Sequence, residues 1–216
     1  MKILSINIRG LKKEGKVAWA RELISKTNPV ITVLQETMCR KVSDRWIENI
    51  WGSNSVRYAV KSSIGRSGGL VTIWDSNVFM FTQALEGKFF LAIRGSLVGY
   101  DSEIVTANIY GPHNDEKKKR FWCSLGDLLQ MTNVEWILCG DFNELRNVGE
   151  RLNTRYNAKR ASVFNEFIND NGLIEISLVG KRFTRISDDD TQFSKLDRFL
   201  VRIRFFSYGT ISRLFH

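Results

Sequence analysis

The tetrapeptide Gly140-Asp141-Phe142-Asn143 places a carboxylate and a carboxamide two residues apart, directly after the apolar run at 136–139. The apolar run predicts a buried strand, so the polar pair lies where a rigid strand opens into a loop. Side chains in that position are well placed to meet a ligand. The structural alternative for Asp141 is an Asx turn or a helix cap, and the tetrapeptide alone is compatible with both interpretations.

Similar polar side chains stand beside other apolar runs of the chain. Glu36 follows the run at 31–34, Asp197 precedes the run at 199–201, and Asn7 and Tyr110 each end a run of their own. If the strands are neighbours, the three carboxylates are expected to converge at one sheet edge. Such an oxygen-rich cluster suits Mg²⁺ or Mn²⁺, which accept one or two carboxylates, keep several waters and share substrate phosphates.

Each of these residues also has a purely structural interpretation. Glu36 could be a solvated loop residue, and Asp197 could form an ion pair with Arg198 or Lys195. Tyr110 could be an ordinary interface aromatic. The joint arrangement at the strand ends, rather than any one residue, favours a functional site.

The composition narrows the range of partners. A surplus of 32 Lys and Arg over 23 Asp and Glu gives a net charge of +9, which favours a polyanion such as nucleic acid. The three cysteines have no paired spacing, which predicts a reducing, intracellular compartment and no disulfide-linked partner. The two histidines and the lack of a Cys/His cluster argue against zinc. No apolar stretch approaches the roughly 20 residues that span a bilayer, so no membrane partner is expected.

Periodicity predicts the elements that position the polar side chains. A 3.6-residue spacing of apolar residues predicts helices around 17–24, 121–129 and 161–168, with Asn114 as an N-cap and Gly172 as a stop signal. Short runs between residues 57 and 107, separated by Gly, Asp, Asn and Ser, predict an antiparallel meander. Without repeats or a Pro-rich linker, this mixture predicts a single layered α/β or α+β domain over residues 1–216.

Six short motifs occur in order along the chain: LSINIRG from Leu4, LQET from Leu34, SGGL from Ser67, NIYGP from Asn108, GDFN from Gly140 and SKLDRF from Ser194. Together they make the chain resemble the endonuclease/exonuclease/phosphatase superfamily, which includes abasic-site nucleases and the endonuclease domains of LINE-type (non-LTR) retrotransposons. The Asn-Ile-Arg-Gly and Leu-Asp-Arg-Phe-Leu forms look most like plant LINE endonuclease domains.

The resemblance implies a four-layered α/β (α+β) sandwich, in which two mixed β-sheets lie face to face between helices. It also implies metal-dependent hydrolysis of a DNA phosphodiester, with Mg²⁺ or Mn²⁺ as cofactor. A functional LINE-type endonuclease would nick target DNA in the nucleus and would have a reverse transcriptase region in its parent polyprotein.

Roles for individual residues follow from the same resemblance, by position in the motifs. The metal ligands would be Glu36, Asn7 and Asp141, and Asp141 would also orient or deprotonate the attacking water. The remaining catalytic residues would be Asn143 and Tyr110 at the scissile phosphate and Asp197 as support. Phosphate or DNA contacts would come from Asn7, Arg9 and Thr184.

The sequence departs from the family pattern in its last part. Family members end this domain with Ser-Asp-His, which is missing after Asp197, and Arg185 stands where an aromatic residue usually follows Phe183-Thr184. This departure predicts a domain that is incomplete at its C-terminus, without its last strand and with an exposed sheet edge. It also predicts severely reduced activity, since His216 does not match the position of the missing histidine. His113 is either a further phosphate contact or a surface residue.

Three functions therefore remain as alternatives. The first is a LINE-type DNA endonuclease, and the second is a catalytically inactive remnant that only binds nucleic acid. The third is a phosphomonoesterase or lipid phosphatase on the same fold. Basic loop residues such as Arg40, Arg151 and Arg155 are expected to hold a phosphate backbone. The basic run at 117–120 instead predicts the solvated face of a helix.

Overall fold

The computed structural model describes residues 1–11, 13–63, 68–153, 155–177, 182–187 and 189–202. The expectations for Ser67, for His216 and for a missing strand and exposed edge after Arg202 lie outside these residues.

The helices and strands in the described part of the chain alternate in small groups. The helices are α1 (Lys16–Thr27), α2 (Asp44–Trp51), α3 (Asp115–Met131) and α4 (Ala158–Asp170), and a 3₁₀ turn covers Val148–Glu150. The first seven strands are β1 (Ile3–Asn7), β2 (Ile31–Gln35), β3 (Val56–Lys61), β4 (Leu70–Asp75), β5 (Phe79–Gly87), β6 (Phe90–Leu97) and β7 (Glu103–Tyr110). The others are β8 (Glu135–Asp141), β9 (Arg151–Leu152), β10 (Ile174–Glu175), β11 (Arg185–Ile186), β12 (Phe193–Ser194) and β13 (Asp197–Arg202).

These strands form two large mixed sheets and one small one. The four-stranded sheet has the order β1-β2-β4-β3, and the six-stranded sheet has the order β10-β13-β8-β7-β6-β5. In each, one pair is parallel, β1 with β2 and β7 with β8, and the other pairs are antiparallel. The small sheet has the antiparallel order β11-β12-β9.

The alternation of side chains along each strand builds three separate cores. One face of the four-stranded sheet packs on α1 and α2 through Leu4 and Leu34, and one face of the six-stranded sheet packs on α3 and α4 through Leu138. The two inner faces meet through side chains such as Ile3 and Cys139. Helices, sheet, sheet and helices therefore form four layers, as the predicted sandwich requires.

Most of the predicted elements are present, and the structure contains further elements that were not predicted. The helices α1, α3 and α4 are confirmed, and the Asn114 side chain caps α3 by accepting a hydrogen bond from the Lys117 amide. Helix α2, strands β3 and β5 and the two-residue strands β9, β11 and β12 were not predicted. The predicted meander is divided, because β3 and β4 join one large sheet and β5, β6 and β7 join the other. Within the described ranges, no helix combines the length and apolarity needed to cross a bilayer.

Candidate active site

The polar side chains lie at one end of the core between the two sheets. Cys139 and Phe199 point into this core. Because side chains two residues apart share a face of a strand, Asp141 and Asp197 continue the same inner face at the ends of β8 and β13. Asn7 stands in the same relation to Ile3 on β1. The two-residue alternation that points apolar side chains of each strand into the core thus also points a polar side chain inward at the end of the strand.

The condition for three carboxylates to meet at one sheet edge, that their strands are neighbours, holds for β8 and β13 but not for β2. Glu36 follows β2 in the four-stranded sheet, whereas Asp141 and Asp197 belong to the six-stranded sheet. The site therefore joins two different sheets, and their face-to-face packing determines its geometry.

Asn7 makes the connection between the sheets. Its side-chain nitrogen, Nδ2, donates hydrogen bonds to Glu36 Oε1 and to Asp141 Oδ2, each at a distance of 2.9 Å. One amide thereby holds two carboxylates that would otherwise repel each other. The Asn7 oxygen, Oδ1, is buried without a hydrogen-bond partner in the described part of the chain.

Left-handed backbone conformations bring Glu36 and Asn143 into position. Strand alternation would place Glu36 with Leu34 on the helix-covered face, but a φ of 51° at Glu36 changes the direction of the chain. Asn143 also has a φ of 51°, and its amide donates to Asp141 Oδ1 over 2.8 Å. This is the Asx-type bond of the structural alternative, and it leaves Asp141 in the site. Non-glycine residues in this conformation are uncommon and concentrate at functional sites.

Asp141 has a direct cross-strand neighbour on each side. It pairs with Tyr110 on β7 and with Asp197 on β13, so the three side chains share one face. Burial, together with the Asp197 carboxylate, raises the pKa of Asp141, although hydrogen bonds from Asn143 and Asn7 oppose the shift. Two buried carboxylates side by side thus favour holding a proton or binding a cation.

Thr184 positions Asp197 from a neighbouring loop. Its hydroxyl oxygen accepts hydrogen bonds from the backbone amides of Leu196 and Asp197, both at a distance of 3.0 Å. Burial raises the pKa of Asp197, while a hydrogen bond from Thr184 and the charge of Arg9 oppose this. The predicted alternative, an ion pair of Asp197 with Arg198 or Lys195, is wrong. Both cations instead bind Glu175.

Tyr110 and His113 lie at the exposed side of the site. Burial and the negative charges of Glu36 and Asp141 raise the pKa of Tyr110, so its phenol keeps its proton. Tyr110 Oη is 3.5 Å from His113 Nε2, and the His113 side chain is exposed. His113 is thus both a surface residue and a neighbour of the site.

The prediction of a solvated basic run at 117–120 holds for Lys117, Lys119 and Arg120, which are exposed, and is wrong for Lys118. Lys118 is buried, and its Nζ donates to the Asn143 carbonyl over 2.5 Å and to Glu144 Oε2 over 2.6 Å. The Asn143 side chain in turn donates to the Gly111 carbonyl over 2.8 Å. Lys118 therefore fixes the loop after β8, a role for which the sequence gives no local signal.

A cleft of about 360 Å³ opens beside these residues along β1, the outermost strand of its sheet among the described residues. Asn7, Asp141, Asp197 and Thr184 line one part of it. The remaining walls include Arg9, Lys16, Trp19, Arg185 and Ile186. Cations and exposed apolar groups therefore surround the carboxylates, which suits a phosphate-bearing substrate.

The oxygen atoms at the site determine which kind of metal ion it could hold. No three His, Cys, Asp or Glu side chains of the described residues lie close enough to form a metal site by themselves. The available donors are the carboxylates of Glu36 and Asp141 and the unpartnered Asn7 Oδ1. Mg²⁺ and Mn²⁺ accept such hard oxygen ligands and complete their shells with water. The donors fit a partly hydrated cation and do not fit a closed protein cage.

Three solved structures illustrate the likeness in fold, each at low sequence identity with the chain. The AP endonuclease LMAP from Leishmania major has a TM-score of 0.70 at 15% identity, covering 92% of this chain and 78% of its own. The 3' phosphatase NExo from Neisseria, bound to a product DNA hairpin, has a TM-score of 0.69 at 14% identity, covering 92% and 85%. The endonuclease domain of TRAS1, a telomere-specific non-LTR retrotransposon, has a TM-score of 0.67 at 14% identity, covering 92% and 82%.

At these identities the likeness concerns the fold alone. No curated protein sequence matches the chain at a significant level. A family model described as Endonuclease/Exonuclease/phosphatase family, however, matches residues 4–211. The match covers nearly the whole chain, including every residue of the site. The chain therefore belongs to the endonuclease/exonuclease/phosphatase family.

Proposed function

We propose that the chain hydrolyses phosphodiester bonds of DNA with Mg²⁺ or Mn²⁺, as a LINE-type endonuclease that nicks its target. The observation that carries this proposal is Asn7 Nδ2 bridging Glu36 and Asp141 across the two sheets. The net charge of +9 supports a nucleic acid over a small phosphate ester or a lipid headgroup. Among the structural neighbours, one is a DNA-bound 3' phosphatase and another a retrotransposon endonuclease, which supports a DNA substrate.

In the proposed reaction, Asp141 accepts a proton from the attacking water. The Asn143 amide and Asn7 hold the two Asp141 oxygens, so the carboxylate is fixed before the substrate arrives. The water oxygen forms a bond to phosphorus and one ester P–O bond breaks. The leaving oxygen takes up a proton from solvent, so the products are a phosphate end and a hydroxyl end. Tyr110 remains protonated and donates a hydrogen bond to a phosphate oxygen.

The other residues position these groups. Glu36 and Asn7 would hold the metal with Asp141, and when bound the cation offsets negative charge on the reacting phosphate. Thr184 orients Asp197 beside Asp141, and Arg9 contacts the DNA strand.

We further propose that the chain is related to plant LINE endonuclease domains, on the basis of the Asn-Ile-Arg-Gly and Leu-Asp-Arg-Phe-Leu motifs.

A plasmid-nicking assay tests the proposed function. The wild type should relax supercoiled DNA in Mg²⁺ and not in EDTA. Asp141→Asn and Glu36→Gln keep the side-chain shapes and should each slow nicking about 10²-fold or more. Asp101→Asn, an exposed change before β7 at the opposite end of the sheet, should have no effect.

The same assay separates the alternatives. DNA binding without any metal-dependent nicking would favour the inactive nucleic-acid-binding protein. Release of phosphate from a phosphomonoester without DNA nicking would favour the phosphatase. Either result would overturn the endonuclease proposal.

A further inference from the structure

A second, smaller cavity adjoins the candidate active site. It has a volume of about 150 Å³, and its walls include His113, Asn143, Arg151, Arg160, Arg185 and Ser194. Arg185 lines both this cavity and the active-site cleft. Asn143, whose amide donates to Asp141 of the cleft, lines the smaller cavity. An occupant of this basic pocket would therefore lie next to a group bound at Asp141.

The small sheet brings two arginines together in the basic pocket. Ser194 on β12 pairs directly with Arg151 on β9 and, on its other side, with Arg185 on β11. Residues that pair directly across a sheet project from the same face. The two arginines thus flank Ser194 in one row, three residues before Asp197 along the chain.

The positive charge in the basic pocket is not balanced by the neighbouring acids. Lys118 is neutralised by Glu144, and Arg160 is paired with Asp115 over 2.6 Å. Arg151 donates to the Arg155 carbonyl, which carries no net charge, and its Nε is buried without a partner in the described ranges.

The arginines also act on one another. Burial lowers the pKa of Arg151, and the charges of Arg185 and Arg160 lower it further, while Glu144 opposes them. Within the described part of the chain, neither Arg151 nor Arg185 has a salt bridge. Cations held near each other without counter-ions favour the binding of an anion.

We propose that Arg151 and Arg185 bind a second phosphate of the DNA strand, next to the phosphate that reacts at Asp141. This proposal rests on the proposed nuclease function. A guanidinium offers paired donors that match phosphate oxygens, and such contacts fix the register of the strand without reading its sequence. The substrate must then carry a flanking phosphate, which distinguishes a polynucleotide from an isolated phosphomonoester.

Binding to chemically modified DNA tests this pocket without any cleavage. Labelled duplexes, each with a single neutral methylphosphonate linkage at a different position, are titrated by fluorescence anisotropy in EDTA. We expect one neutral linkage to weaken wild-type binding about tenfold, as expected for a hydrogen bond to a charged group. Arg151→Gln should weaken binding to unmodified DNA by a similar factor. It should also make the slope of log K against log salt concentration shallower by about one.

The decisive observation is the coupling between the two changes. The neutral linkage that weakens wild-type binding should have a smaller effect on Arg151→Gln and on Arg185→Gln, and no further effect on the double variant Arg151→Gln/Arg185→Gln. The matched control is Arg57→Gln on the outer strand β3, an exposed arginine that pairs with Trp74 at the far end of its sheet. It should keep the full effect of the linkage.

Two results would overturn the proposed phosphate contact: equal weakening of DNA binding by Arg151→Gln and Arg57→Gln, or additive effects of variant and linkage. Plasmid nicking by the wild type distinguishes this failure from that of the proposed function. Nicking without coupling refutes the pocket alone, and coupling without nicking refutes the nuclease alone. A wild type that does not bind DNA refutes both.

Discussion

At the scale of single residues, Thr184 shows how the site depends on a group with no acid or base chemistry of its own. Its hydroxyl oxygen accepts hydrogen bonds from the backbone amides of Leu196 and Asp197. A hydrogen bond from the Thr184 side chain lowers the pKa of Asp197, whereas burial raises it. One Asp197 oxygen, Oδ1, is buried without a hydrogen-bond partner among the described residues. Thr184 therefore orients Asp197 and favours its charged form.

Replacing Thr184 by Val keeps the shape of the side chain and removes all three hydrogen bonds. We expect about tenfold or more loss of nicking, since each bond to a charged group contributes roughly 1.5–3 kcal/mol. The pKa of Asp197 should rise, so the acidic limb of the pH–rate profile should move to higher pH. The test is kcat against pH for wild type, Thr184→Val and Thr184→Ser.

Thr184→Ser retains the hydroxyl and is the matched control. It should keep both the rate and the position of the acidic limb. A Thr184→Val variant with reduced rate and an unmoved limb would contradict a role in setting the charge of Asp197.

Single residues also show what the sequence can predict of the site. Asp141 is predictable because an apolar run marks its strand, and Asp197 for the same reason. The inward direction of Glu36 is not, because it results from a φ of 51° that no neighbouring residue signals. Lys118 is missed for another reason. Its partners Asn143 and Glu144 are about 25 residues away, and only the packing of α3 brings them together.

At the scale of elements, Arg198 ties together several short segments behind the site. It is fully buried, follows Asp197 on β13 and therefore projects to the opposite face. Its guanidinium binds Glu150 in the 3₁₀ turn over 2.5 Å and Glu175 on β10 over 2.9 Å. Lys195 also binds Glu175, over 2.6 Å. This ion-pair network holds β10 and the turn against β13.

Glu175→Gln tests the contribution of the network to stability. Burial alone would raise the pKa of Glu175, but the charge of Arg198 and hydrogen bonds from Lys195 and Arg146 outweigh it and lower the pKa to about 2. A pKa below the unfolded value of about 4.3 stabilises the fold above that pH, and the stabilisation is lost as the pH falls towards 2. We expect the substitution to cost roughly 2–3 kcal/mol at pH 7, measured by urea unfolding.

The difference between Glu175→Gln and wild type should shrink between about pH 4.5 and pH 2. Glu22→Gln, which breaks an exposed pair with Lys26 on α1, serves as control and should show little change at any pH. A Glu175→Gln difference that persists unchanged at pH 2 would contradict this account of the network.

Elements differ in how far their sequence determines them. Helix α3 has a cap and a long apolar stripe, so its existence follows from local pattern. The two-residue strands β9, β11 and β12 have no such pattern and exist only through pairing with each other. The basic pocket they build could therefore not be predicted, although Arg185 was recognised as a departure from the family pattern.

At the scale of the whole molecule, the site exists only while the two large sheets are docked in register. Asn108 on β7, completely buried, crosses the space between them. Its side-chain nitrogen donates hydrogen bonds to the carbonyls of Leu34 and Val71 in the four-stranded sheet, each at 3.1 Å. Its side-chain oxygen accepts a hydrogen bond from Gln35 Nε2 at 2.7 Å. Gln35 immediately precedes Glu36, and Tyr110 follows two residues after Asn108. The same bonds that join the sheets thus align both halves of the site.

Asn108→Leu replaces this polar connection with an apolar side chain of similar size. The carbonyls and Gln35 would lose their buried partner, and each unsatisfied group costs about 1–3 kcal/mol, so we expect about 2–4 kcal/mol of destabilisation. Nicking by the remaining folded protein should also fall, because Glu36 and Asp141 would no longer be held in register. The control is Thr106→Val, two residues earlier on the same face of β7, where the hydroxyl is buried without a partner in the described part of the chain. Removing that hydroxyl should be neutral or stabilising in urea unfolding, and an Asn108→Leu variant as stable and active as Thr106→Val would show that apolar packing alone aligns the sheets.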